Sequence, residues 1–140
     1  PGDVVVLRLL TDPAPDIKGV SLNWRYAAPR LAFVSAHAGD VIGQPGGFVE
    51  FVVPDLVAPP DSVGYDAAVL VGTGSGPGVL VFLRFTANSV GNASVDCVSA
   101  DARDSHNGLT QPPCTSSTIH VVGPVPTHRT RWAAMKDMFR

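Results

Sequence analysis

The chain has 140 residues, a formal net charge of -2 and charged side chains at only 16%, so it is one domain by length and offers no basic footprint for nucleic acid. Fourteen glycines and thirteen prolines favour many short elements joined by turns, which points to an all-β chain. No apolar run approaches the length of a membrane span, the N-terminus lacks a signal-peptide pattern, and Pro1 fits a mature end.

Residues 4–10, VVVLRLL, give the first predicted strand. In VSLNWRY, Val20, Leu22, Trp24 and Tyr26 alternate with Ser21, Asn23 and Arg25, the period of a sheet with one buried face. This segment should cross the core, which makes Trp24 and Tyr26 packing residues before they are sugar platforms. Residues 31–36 and 47–53 follow as strands; Glu50, the only glutamate, is expected on the solvated face of FVEFVV. Further strands are predicted at 67–71 and within GVLVFLRFTA, where Val79, Val81, Leu83 and Phe85 share one face. Residues 93–98 and 118–122 complete the set, with DPAPD, GQPGG, APPDS and GTGSGPG as turns. Such short strands must bury one side against a second sheet, so the expected fold is a jelly-roll-like β-sandwich of about eight to nine strands.

Between the only two cysteines runs CVSADARDSHNGLTQPPC. Asp96, Asp101, Asp104 and Asn107 carry oxygens of the kind Ca²⁺ takes, but the spacing lacks EF-hand alternation and Arg103 competes for a carboxylate. A solvated loop turning at Asn107-Gly108 and stapled by Cys97 and Cys114 is the expected reading. Such a disulfide suits an oxidising, extracellular compartment. Zinc is disfavoured because the cysteines lie far apart and His106 and His120 make no paired spacing. GTGSGPG has neither the spacing of a nucleophile elbow nor the Lys-Ser/Thr pair of a phosphate loop, so no catalytic motif and no cofactor are expected. Asn92-Ala93-Ser94 matches a glycosylation acceptor pattern.

GDVVVLRL, GVSLNWRYAAPRLAFVSAHAGDVI and GTGSGPGVLVFLRFTA together resemble the cohesin-like modules, type I in particular, of bacterial extracellular proteins. In that family a strand with alternating aromatics ends in a Tyr-Asp-Pro-type turn, followed by a Leu, a strand and a Gly-Asp pair. Tyr26, Pro29, Leu31, Val34, Gly39 and Asp40 occupy those places, with Ala27-Ala28 where Asp is common. ADARDSHNGLT is similar to the strand and loop before the last strand. The resemblance spans residues 2–122 and implies a nine-stranded, non-catalytic sandwich that acts by protein recognition. Family members usually carry a full strand before the segment matching GDVVVLRL, and here that strand is expected to be missing. The resulting edge, with Val4, Val6 and Leu7, would be filled by the chain's own tail or by a neighbouring molecule. No duplicated Asp-rich dockerin repeat and no second module are present in the sequence.

The domain is expected to end near residue 123, with residues 124–140 forming a Pro-containing spacer and an amphipathic tail. In RTRWAAMKDMFR, Trp132, Met135 and Phe139 share a helical stripe, suited either to capping the domain or to anchoring another subunit. The functional expectation is a secreted interaction or structural module whose partner is a copy of itself or another surface protein; carbohydrate binding is the alternative and a hydrolase trails both.

Overall fold

A computed structural model describes residues 2–14, 16–44, 46–57 and 60–123. Trp132, Met135 and Phe139 lie outside the described residues. Among the described residues, nine strands and one short helix follow in chain order: β1 (Val4–Thr11), β2 (Gly19–Tyr26), β3 (Leu31–Ala38), α1 (Asp40–Gly43), β4 (Phe48–Pro54), β5 (Ser62–Val69), β6 (Gly78–Ala87), β7 (Gly91–Arg103), β8 (Leu109–Thr110) and β9 (Ser117–Val121). They build two antiparallel sheets, one ordered β1-β6-β3 and the other β4-β5-β2-β7-β8, with β9 also pairing β7. The expected all-β, jelly-roll-like sandwich is the fold observed.

The alternation in β2 decides the core. Val20, Leu22, Trp24 and Tyr26 are buried, and each partner strand repeats the pattern, with Val63, Tyr65, Ala67 and Val69 buried on β5. Phe85 of β6 enters from the facing sheet and meets Tyr26 and Phe33 at ring-centroid distances of 5.3 and 5.9 Å. Both contacts are tilted or edge-on, the arrangement the ring quadrupoles favour. Trp24 and Tyr26 therefore pack the interior, and neither offers a platform to a sugar.

Three boundaries differ from the sequence reading. The strand expected at 67–71 is β5, Ser62–Val69: alternating Val63 and Tyr65 outweigh the turn signals of Ser62 and Gly64, and Leu70 and Val71 stand exposed beyond its end. At the start of β6 a register shift opposite Leu9 and Leu10 turns Leu80 into the core and leaves Val79 half-buried, so the period breaks before Val81. β7 continues to Arg103, taking in the first part of the stretch read as loop, because β2 pairs it from Val95 to Arg103.

Helix α1 is a single turn that sequence periodicity did not reveal. It buries Val41 and Ile42, and its Asp40 carboxylate accepts the Val79 N–H at 2.8 Å. No helix among the described residues is long and apolar enough to cross a membrane.

Candidate interaction surfaces

The sandwich has two unlike sides. On one, β3 and β4 face each other as the outer strands of their sheets, and Glu50 joins them. Its Oε2 accepts the Tyr65 hydroxyl at 2.6 Å and the Ala38 N–H at 2.9 Å, while Oε1 lies 3.1 Å from His37 Nδ1. The expectation of a solvated Glu50 is thus corrected: it points between the sheets. FVEFVV is apolar on both faces, so its period cannot choose a face; an edge N–H and a buried phenol supply the choice. Burial alone would push the Glu50 carboxyl up, but hydrogen bonds from Tyr65, His37 and Ala38 outweigh it and hold the group below its ordinary 4.5. Burial, then the bond to Glu50, pushes the Tyr65 phenol up.

Turning Glu50 inward puts Val49, Phe51 and Val53 on the outer face of the larger sheet, where Phe51 and Val53 keep 63% and 59% of their surface exposed. Register extends that face in rows: Phe51 beside Asp66, Ser21 and Asp101, and Val53 beside Gly64, Asn23 and Ser99. A register shift between Asn23 and Trp24 leaves Val98 unpaired and exposed opposite Val53. Between them lies a shallow trough of about 740 Å³. Gly64 keeps its floor low, since a Cβ there would come within 3.0 Å of Asn23 Oδ1. Asn23 is itself fixed by donating to Ser99 Oγ at 3.0 Å. An apolar strip thus lies beside a polar, hydrogen-bonded sheet face. Sequence reasoning missed it because the strip exists only once Glu50 has been turned away.

On the opposite side β1 pairs only with β6 among the described residues, leaving its outer edge without a strand. Val4, Val6 and Leu7, the expected partner-binding residues, lie on this strand with side chains on its two faces. Val4 and Val6 are exposed on the outer face, whereas Leu7 points inward with Val5 and Leu9, the consequence of the strand's two-residue period. Near the end of β1 a groove of about 610 Å³ opens between the sheets, floored by Leu9, Leu10, Ile17, Leu80 and Ala100.

The wall across this groove is the stapled turn. Cys97 and Cys114 are bonded, with Cα atoms 5.8 Å apart. Asn107 adopts φ 62°, a left-handed conformation that asparagine tolerates. The proposed calcium residues serve the turn separately: Asp104 Oδ1 accepts N–H bonds from His106 and Gly108, Asp101 accepts from Gln111, and Asn107 accepts from Arg103. Asp96 pairs with Ser94 on β7. No group of three or more His, Cys, Asp or Glu gathers at metal-binding range among the described residues. The acceptor-pattern residue Asn92 is exposed on β7, with its side-chain oxygen 2.6 Å from His120 Nδ1.

This sandwich is a cohesin-type fold. The sixth cohesin of scaffoldin B from Acetivibrio cellulolyticus, solved with a Cel5 dockerin mutant, superposes with a TM-score of 0.70 at 19% identity, covering 87% of this chain and 91% of that one. The OlpA cohesin of Clostridium thermocellum, solved with dockerin Doc918, gives 0.71 at 13% identity over 87% and 91%. A non-cellulosomal cohesin from the archaeon Archaeoglobus fulgidus gives 0.68 at 12% identity over 99% and 90%. No protein-family model and no curated protein matches the sequence.

Proposed function

We propose that this domain is a secreted, non-catalytic recognition module that docks a protein partner on the outer face of its larger sheet. The observation that carries the reading is the Val49, Phe51 and Val53 strip, held outward by Glu50 and set beside a trough with a polar floor. Apolar anchors in a polar surround are where binding energy concentrates in protein interfaces. Two similar solved structures hold dockerins, which makes a dockerin module the first partner class to test. The Cys97–Cys114 bond supports an extracellular setting.

Titration calorimetry against a panel of dockerin modules tests this. Phe51→Arg is expected to weaken any observed complex at least thirtyfold, the ~2 kcal/mol of an interface hot spot, with the melting temperature unchanged within a few degrees. Binding by none of the panel, or binding indifferent to Phe51→Arg, overturns the assignment of this face.

A second reading is favoured by the edge of β1, unpaired among the described residues: copies assembling into an extracellular fibre by strand addition. Light scattering on the purified chain tests it, since a uniformly monomeric sample across concentration removes it.

A further inference from the structure

We propose that residues 124–140 dock on their own domain, running along the open edge of β1 and seating Trp132 in the groove at its far end. This inference is independent of the outer-face reading and is the rival of assembly by strand addition.

Four observations lead to it. First, β9 delivers the chain to the correct end: Val121 pairs with Gly91, and Gly123 lies beside Val90, in the turn between β6 and β7. That turn follows the end of β6 that pairs the start of β1, where Val4 faces Thr86 and Gly2 donates to Ala87. Secondly, the lengths agree. β1 has eight residues, about 26 Å of strand, and residues 124–131 span about 26–29 Å when extended, so Trp132 arrives at the Leu9–Leu10 end where the groove opens. Pro124 and Pro126 lack N–H groups and are compatible only with an edge, which is the position available.

Thirdly, the charges are complementary. Residues 124–140 hold Arg129, Arg131, Lys136 and Arg140 against Asp137 alone, a net +3, whereas residues 1–123 hold six basic and eleven acidic side chains, a net -5. Asp12, Asp16 and Asp104 rim the groove, with Arg103 the only cation among its described lining residues. Fourthly, one of those carboxylates is half-used: Asp16 Oδ2 accepts from the Ser105 hydroxyl and N–H, while its buried Oδ1 has no partner among the described residues. A basic, aromatic segment meets both the apolar floor and the acidic rim. With a tether already at the correct end, its effective concentration is far above that of a second copy.

The test is photo-crosslinking of the full chain carrying Trp132→p-benzoylphenylalanine, in an equal mixture of ¹⁴N- and ¹⁵N-labelled protein. The expected adducts join position 132 to Leu10 or to residues 110–113, with both halves from the same isotope. Yield should fall several-fold in Asp12→Asn/Asp16→Asn and in about 0.5 M NaCl, where charge interactions reach only a few ångströms. Mixed-isotope adducts at the groove would overturn docking in cis and favour exchange between copies. Adducts elsewhere, or none, would overturn the groove as the tail's site, and a yield insensitive to both charge changes would overturn the electrostatic part.

Discussion

Glu50→Ala is expected to lower the melting temperature by about 10 °C, corresponding to a loss of about 2–3 kcal/mol in a domain of this size. The magnitude comes from what is stranded. The Tyr65 hydroxyl and the Ala38 N–H both donate to Oε2, and alanine leaves them without an acceptor at a part-buried position between the sheets. The residue also ends two sheet edges at once, since β3 spends an edge N–H on it and β4 turns an inward charge against further pairing. Glu50→Gln should cost less, because its amide oxygen in the place of Oε2 has lone pairs for both donors. Thermal melts of both variants decide the matter: an alanine variant as stable as the parent would mean that the bridge between the sheets contributes nothing.

The same residue sets a pH dependence. Its folded carboxyl titrates below the ordinary 4.5, so its contribution to stability is fully present above that value and is lost as pH falls through the folded pKa. The stability difference between the parent and Glu50→Gln should therefore shrink below pH 4.5 and stay constant from there towards neutrality. A difference that grows in acid would reverse the assignment.

Removing the disulfide is the second large effect. Cys97→Ser/Cys114→Ser should cost about 3 kcal/mol, the unfolded-state entropy of a loop closed across 17 positions. Beyond β7, the segment it ties back is anchored by only a two-residue strand and exposed hydrogen bonds. Hydrogen exchange should consequently accelerate at residues 104–115 more than in β2 or β5. Uniform acceleration across the domain would show that the bond stabilises the whole fold evenly.

Much of the architecture was legible because its elements announce themselves locally. The alternation of VSLNWRY named one buried face, and β6 was recognisable as central from its apolar run, although the shift at Leu80 moved the start of its pattern. Asn107-Gly108 marked the hairpin, and two cysteines implied the staple now seen between Cys97 and Cys114. Each of these signals rests on backbone periodicity or on a residue's own conformational preference, which neighbours in sequence suffice to express.

What the tertiary structure alone decided are the choices that involve residues distant in the chain. FVEFVV carries no period, so which face receives Glu50, and hence whether Phe51 points to solvent, was settled by Tyr65 and Ala38 arriving from two other strands. Asp101, Asp104 and Asn107 looked alike as oxygen donors until the hairpin gave each its own partner. Val4, Val6 and Leu7 were close in sequence but divided between two faces by the pleat of β1. The groove beside them, its acidic rim and the arrival of Gly123 at the opposite end of β1 come from four separate segments, whose proximity no local signal encodes.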